Sequence, residues 1–227
     1  MRGLTLLAGL VAGFGALYAV SAVADEAVCA KSAGVSPVTA LAKMPGRPEP
    51  EGLTIIYLSP LGDSAQANAW KNIIVHQTEG PPGSARREAD DQFAHPTKRG
   101  TMLWVETDGT VYWSVAETVI TTQGEGGDRN DNKYIDNAKT YHQVTKANSI
   151  GVEFIGNYPD VAKPVTAEQK RAWLLLAPFL QERYGIPPDH IYAHNWIDFK
   201  DQRYCEGCEL ATLARKLGYC PSRPSSP

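Results

Sequence analysis

The sequence has no excess of charge of either sign and few cysteines, and its one long uncharged run lies at the start. Its 22 basic and 25 acidic side chains give a net charge of −3, so no basic surface for nucleic acid is expected. Four cysteines in 227 residues are too few for a disulfide-dense scaffold. With 43% hydrophobic residues, the composition excludes collagen-like, broadly disordered and multi-span membrane classes.

The uncharged run at the amino terminus has the pattern of an export signal. Arg2 precedes a stretch from Leu4 to Val20 without charge, and Ala22-Val23-Ala24 follows as a cleavage-site pattern. We expect residues 1–24 to be a signal peptide, with an uncleaved anchor helix as the alternative. Export would place the protein in the periplasm or outside the cell, without stable membrane insertion after cleavage, where disulfides can form.

The rest of the chain has the pattern of a single domain with an extension at each end. Residues 25–52 hold four prolines and little periodicity, which predicts a linker or amino-terminal arm. The domain is expected over residues 53–219, and the Pro- and Ser-rich residues 220–227 are expected to be a disordered tail. We expect the protein to be a monomer.

Strand and helix patterns alternate within the expected domain. Asp108-Gly109, between two apolar runs, predicts a hairpin because glycine tolerates positive φ. The predicted strands are Leu53–Leu58, Asn72–His76, Met102–Val105, Val111–Val115, Ser149–Ile155 and Ile191–His194. The predicted helices are Ser84–Phe93, one that starts at the capping box Thr166–Gln169, and Cys208–Leu217. We therefore expect an α/β fold, with a mixed central β-sheet and helices packed on it.

Two of the five histidines end strand-like runs. His76 follows Ile73-Ile74-Val75, and His194 follows Ile191-Tyr192-Ala193, so both are expected at the carboxyl edge of the sheet, where α/β folds bind ligands. Cys205 comes shortly after the second histidine. Two imidazoles and a thiolate suit Zn²⁺ and leave a fourth position for water, whose pKa zinc lowers to about 7. The pattern predicts a catalytic zinc site with these three ligands.

Such a site needs a proton acceptor, and Glu153 is the candidate. It is an isolated acid in the apolar strand Ser149–Ile155, where partial desolvation would raise its pKa. The alternative is a buried carboxylate paired with Arg203. Trp196, which follows His194 closely in the chain, is a candidate for substrate contact.

The cysteines leave other arrangements open. One alternative is a structural zinc site with four ligands, formed by His190, His194, Cys205 and Cys208; it requires both histidines on one helical turn. A disulfide between Cys208 and Cys220 is expected, with Cys29 free or paired elsewhere. Disulfides at both Cys205 and Cys208 would leave the zinc short of a ligand.

Four segments together resemble the N-acetylmuramoyl-L-alanine amidase type 2 family, to which the peptidoglycan recognition proteins are related. In chain order they are Ile73–Thr78, Thr107–Tyr112, Ser149–Glu153, and His194 followed by Cys205-x-Gly207-x-x-Leu210. The resemblance implies that His76, His194 and Cys205 hold zinc, and that Glu153 is the catalytic acid/base. It implies hydrolysis of the amide between N-acetylmuramic acid and L-alanine, with peptidoglycan or a muropeptide as substrate. A non-catalytic muropeptide-binding module of the same fold is the alternative.

The chain departs from the family pattern near the third ligand. The residue two positions before Cys205, which in the family helps to stabilise the oxyanion, is Arg203, and the planar guanidinium is not equivalent to lysine. The family's proline after this ligand is Glu206. These differences affect the fit of the substrate and leave the expected zinc ligands in place.

The chain also departs from the family after the hairpin. A Trp-His-Ala-Gly segment becomes Thr122–Glu125, which makes Gln123 a candidate for substrate contact. The stretch from Glu125 to Lys146 is longer and more polar than in the family. We expect it to form a wall of the binding groove, with His142 as a further candidate for substrate contact.

Overall fold

The structure, a computed structural model, describes residues 50–62, 67–126, 137–198 and 204–218. The expected signal peptide, the arm up to residue 49 and the tail lie outside the described residues, as do Arg203, Cys29 and Cys220. Within the described ranges, no helix has both the length and the apolar character needed to cross a bilayer.

A mixed β-sheet of six strands forms the centre of the described domain. The strands are β1 (Ile55–Tyr57), β2 (Asn72–Gln77), β3 (Leu103–Val105), β4 (Val111–Trp113), β5 (Ser149–Phe154) and β6 (Ile191–Ala193). Their order in the sheet is β1-β4-β3-β5-β2-β6. The hairpin strands β3 and β4 are antiparallel, and the other neighbours are parallel. The predicted α/β class and the mixed sheet are confirmed.

Five helices accompany the sheet in the described part of the chain. They are α1 (Ala85–Ala94), α2 (Asn137–Thr140), α3 (Ala167–Tyr184), α4 (His194–Ile197) and α5 (Cys208–Gly218). The long helix α3 has the predicted capping box, in which Thr166 and Gln169 each accept a backbone N–H of the other. It ends at Gly185, whose φ of 68° is the left-handed conformation common after a helix.

The alternation of side chains along β2 separates the core from the functional edge. Ile73 and Val75 are fully buried in the main hydrophobic core, together with Trp173 of α3. Because successive side chains of a strand point to opposite faces, Ile74 and His76 lie on the other face of the sheet. His76 is therefore held near the carboxyl end of a central strand, on the face opposite α3.

Candidate metal centre

Three buried side chains from distant parts of the chain meet at the carboxyl edge of the sheet. His76 is the fifth residue of β2, His194 begins α4 directly after β6, and Glu206 lies two residues before α5. The strands β2 and β6 are parallel neighbours, so both histidines lie at the same edge. The three residues are 4%, 3% and 1% exposed, so bulk water does not screen them.

The ligand atoms of these side chains form a nearly equilateral triangle. Nδ1 of His76 lies 3.1 Å from Nδ1 of His194 and 3.3 Å from Oε1 of Glu206. The third side, from Nδ1 of His194 to Oε1 of Glu206, is 3.1 Å. A tetrahedral zinc with bonds of about 2.0–2.1 Å has ligand atoms roughly 3.3 Å apart. The triangle therefore has the size of one face of a zinc tetrahedron, and we call these three residues the metal cluster.

Each histidine of the metal cluster has a second partner on the outer side of its ring. Nε2 of His76 lies 3.1 Å from Oε1 of Gln123, and Nε2 of His194 lies 3.2 Å from Oδ2 of Asp198. Metal-binding histidines usually have such a hydrogen-bond acceptor at the nitrogen that does not bind the metal. Both the spacing of the ligand atoms and the acceptors behind the two histidines are therefore those expected of a metal site.

The protonation states in the metal cluster suit a cation. Burial lowers the pKa of His76 and the neighbouring His194 lowers it further, against the opposing effect of Glu206. Burial alone would raise the pKa of Glu206, but the two histidines together outweigh it and hold this pKa well below its usual range. His76 is therefore neutral and Glu206 ionised near pH 7, which are the forms that bind a metal.

Cys205, the expected third ligand, is not part of this cluster. Its sulfur is bonded to Cys208, so it is not a thiolate, and the expected pairing of Cys208 with Cys220 is corrected. The same bond removes both sulfurs from the alternative four-ligand zinc site. Glu206, the next residue, supplies a carboxylate instead. In the sequence, the indication that Glu206 is a ligand is that an acidic residue replaces the proline of the family pattern.

Glu153 lies beside the metal cluster, on the same face of the sheet as His76. The strands β2 and β5 pair so that these two residues are directly opposite each other, and neighbouring strands are about 4.8 Å apart. Glu153 is half-buried. Its position is compatible with acid/base chemistry at the cluster, and this role stays a prediction. The suggested alternative partner, Arg203, is outside the described residues.

The three candidates for substrate contact have different surroundings. Trp196 is 8% exposed in the main core, with the guanidinium of Arg215 4.8 Å from its ring, and its contact with substrate stays a prediction that this burial does not favour. Gln123 is 6% exposed and contacts His76, so its position is that of a support for the metal cluster. His142 is exposed beside the ring of Tyr141, and its contact with substrate stays a prediction.

Three solved structures illustrate which proteins the fold is similar to. The endolysin N-acetylmuramoyl-L-alanine amidase LysCS from Clostridium intestinale URNW is 17% identical over 70% of this chain and 89% of that chain, with a TM-score of 0.44. The Ph2119 endolysin from Thermus scotoductus MAT2119 bacteriophage Ph2119 is 20% identical over 67% and 86%, with a TM-score of 0.41. A mutant endolysin from Bacillus subtilis is 17% identical over 73% and 99%, with a TM-score of 0.47.

A match to a family is found at the level of sequence. No sequence among curated proteins matches the chain. The family model described as N-acetylmuramoyl-L-alanine amidase matches residues 66–208, which is more than half of the 227 residues. The matched range includes all three residues of the metal cluster and Glu153. The chain therefore belongs to the N-acetylmuramoyl-L-alanine amidase type 2 family, as its four sequence segments predicted.

Proposed function

We propose that this protein is a zinc-dependent amidase that hydrolyses the bond between N-acetylmuramic acid and L-alanine in peptidoglycan. Membership of the family supports amidase activity on peptidoglycan. The observation that carries the metal dependence is the buried triangle of His76, His194 and Glu206. Its atoms are two nitrogens and one oxygen, which are donors that zinc accepts.

The metal cluster would hold the ion through three protein ligands, which is the number that catalytic zinc sites use. A zinc ion held by these residues would supply a water of lowered pKa and would polarise the scissile carbonyl. Burial lowers the pKa of His76, which favours the neutral form that binds a metal. The low exposure of the cluster strengthens these electrostatic interactions.

Glu153 is the proposed general base and acid of the reaction. Its carboxylate takes a proton from the attacking water and passes it to the departing amine of L-alanine. The strand register places it next to His76, on a rigid part of the sheet. Arg203 is the proposed group that stabilises the oxyanion, and His142 is proposed to contact substrate from the wall of the groove.

The proposed place of action is the cell wall, reached by export. Residues 1–24 are proposed to direct the chain to the periplasm or the outside and to be cleaved there. The substrate is intact peptidoglycan or a soluble muropeptide. The mature protein is proposed to act as a monomer, without nucleic acid and without insertion in the membrane.

The decisive experiment uses the purified protein without residues 1–24 and isolated sacculi. Release of glycan free of peptide, together with new amino termini at L-alanine, would be measured with zinc, with a chelator, and after zinc is restored. We expect cleavage that the chelator abolishes and that zinc restores. Cleavage that persists in the chelator would contradict the metal dependence. Binding to sacculi without cleavage would favour the muropeptide-binding module.

Two variants distinguish residues needed for zinc binding from residues needed only for proton transfer. His76→Ala should lose both zinc and cleavage, whereas Glu153→Gln should lose cleavage and keep zinc. His95→Ala is the matched control. The side chain of His95 follows the end of α1, is 64% exposed and contacts Asp91, so its loss should leave zinc binding and cleavage unchanged. Normal cleavage by Glu153→Gln would remove Glu153 from the mechanism.

A further inference from the structure

We infer that Gln123 and Asp198 are positioning residues that hold both histidines in the tautomer whose Nδ1 atom binds the metal. We further infer that the main-chain carbonyl of Ser149 sets the orientation of Gln123. The inference rests on the metal cluster of the proposed function and deepens it, because it assigns the parts of the chain that make this cluster a metal site.

The first step concerns the direction of the Gln123 amide. Its Nε2 donates a hydrogen bond of 2.8 Å to the carbonyl oxygen of Ser149, the first residue of β5. A carbonyl oxygen only accepts hydrogen bonds, so the amide nitrogen has to face Ser149. The amide oxygen then has to face the ring of His76, where Oε1 lies 3.1 Å from Nε2.

The second step concerns the proton on His76. The amide oxygen also only accepts, so Nε2 of His76 carries the hydrogen and donates it to Gln123. A neutral imidazole has one such hydrogen, which leaves Nδ1 with its lone pair. Nδ1 is the atom that faces His194 and Glu206 in the metal cluster. The β5 backbone thus selects the metal-binding form of a histidine on β2.

Asp198, four residues after His194, sets the tautomer of that histidine. The backbone N–H of Asp198 donates 2.9 Å to the carbonyl of His194, which holds the two residues one helical turn apart. Oδ2 of Asp198 lies 3.2 Å from Nε2 of His194, and both side chains are 3% exposed. A carboxylate accepts this hydrogen, so in the neutral ring that binds a metal the lone pair of His194 is on Nδ1.

Two glycines provide the space for this arrangement. A Cβ atom on Gly151 of β5 would lie 2.3 Å from Oε1 of Gln123. A Cβ atom on Gly124 would lie 2.4 Å from Nε2 of His194. Both distances are far below van der Waals contact, so an alanine at either position would displace a positioning contact. This gives a physical reason for glycine in the middle of an otherwise apolar strand.

Zinc affinity, measured by competition with a chromophoric chelator, is the first test. Gln123→Leu and Asp198→Leu should each weaken zinc binding by about 10–100-fold, the usual effect of losing an outer-shell partner. Gln123→Glu should be intermediate, since it still accepts from His76 but cannot donate to Ser149. Gln92→Leu is the matched control: Gln92 is 2% exposed and donates to the carbonyls of Pro96 and Lys98, so its loss should leave zinc affinity unchanged.

The tautomers themselves are the second test, because a merely structural role would not change them. Nitrogen-15 NMR of labelled histidine should show hydrogen on Nε2 of His76 and His194 in the wild type, and cadmium bound at Nδ1 of both. In Gln123→Leu, His76 should become a mixture of tautomers while His194 is unchanged. Unchanged tautomers in both Gln123→Leu and Asp198→Leu would overturn the inference, even if both variants were less stable.

The third test couples Gly151 to Gln123. Gly151→Ala should weaken zinc binding as Gln123→Leu does, and the double variant should be no weaker than either single variant, because both remove one interaction. Additive losses would overturn the proposed link. If the wild type bound no zinc, the proposed function would fail together with this inference. If the wild type bound zinc and all these variants bound it equally well, only this inference would fail.

Discussion

Among the described residues, Glu117 and Glu206 are each the centre of a buried cluster, and the two clusters differ in what surrounds the carboxylate. In the first, Glu117 accepts hydrogen bonds from Nε and Nη2 of Arg183 at 2.6 and 2.8 Å, from the hydroxyl of Tyr184 and from the backbone of Gly62. The carboxylate raises the pKa of Arg183, so the guanidinium stays charged. Every contact in this arginine cluster joins a donor to an acceptor, and the charges balance within it.

The metal cluster has the opposite composition. Glu206 faces Nδ1 of His76 and Nδ1 of His194, and both nitrogens present lone pairs once Gln123 and Asp198 hold the hydrogens on the far side. The three ligand atoms lie 3.1–3.3 Å apart, and a cation would complete this set. Burial is therefore common to both clusters, and the balance of donors and acceptors distinguishes the arginine cluster from the proposed metal site.

The largest expected effect on the fold comes from the arginine cluster. Glu117→Gln leaves the guanidinium of Arg183, whose side chain is 13% exposed, without its counter-charge. The free energy of unfolding should fall by about 3–5 kcal/mol, with zinc affinity unchanged, as measured by urea unfolding of the metal-free protein. Glu88→Gln is the control, because its ion pair with Arg87 is on the surface and contributes less than about 1 kcal/mol. Equal losses of unfolding free energy in Glu117→Gln and Glu88→Gln would contradict the structural role of the arginine cluster.

In the metal cluster, substitution of the glutamate should change zinc affinity. Glu206→Gln removes the charged ligand and should weaken zinc affinity by more than about 100-fold, since even outer-shell partners contribute 10–100-fold. The stabilisation by zinc, about 4 kcal/mol at a thousand times the dissociation constant, should disappear in calorimetry. Glu209→Gln, an exposed neighbour paired with Lys170, should keep both. Retained zinc binding in Glu206→Gln would refute the assignment of this ligand.

A smaller effect is expected at the cysteines. Serine at both Cys205 and Cys208 should lower the free energy of unfolding by roughly 2 kcal/mol, the loop-entropy value for a ring of about four residues. Zinc affinity should change less than about tenfold, because the ligand is Glu206 and only its ordering is affected. A loss as large as that of Glu206→Gln would instead show that Cys205 is the third ligand, as the sequence had predicted.

The smallest effect concerns pH, because a single proton is involved. Burial and then His194 lower the pKa of His76 in the folded protein, whereas the unfolded chain binds this proton near pH 6.5. The unfolded state therefore binds more protons as pH falls below that value, and stability should fall toward the lower folded pKa. Urea unfolding of the metal-free protein between pH 7 and 5 should show this slope, and His76→Asn should reduce it. An unchanged slope would contradict a neutral, buried His76.

The sequence predicted the elements that depend on local pattern. The strands β2 and β5, the hairpin and α3 lie within a residue or two of their predicted positions, because alternation, turn residues and caps are local signals. The approach of His76 to His194 was also predictable, since parallel strands bring their carboxyl ends to one edge.

The surroundings of the two histidines required the structure. Trp196 was a candidate for substrate contact because it follows His194 closely in the chain. The chain begins α4 at His194, and residues two apart on a helix point in nearly opposite directions. Glu206 rather than Cys205 belongs to the metal cluster, because the sulfur of Cys205 is bonded to Cys208, and this bond was not apparent from the sequence. Gln123 contacts His76 from 47 residues away in the sequence, a separation at which no local pattern predicts a contact.

The bond between Cys205 and Cys208 closes a small ring of chain that contains Glu206 and Gly207. The bond restricts the backbone that carries the Glu206 carboxylate, so this side chain has less conformational freedom to lose on binding. If the metal cluster binds an ion, disulfide formation in an oxidising compartment would order this ligand before the ion binds.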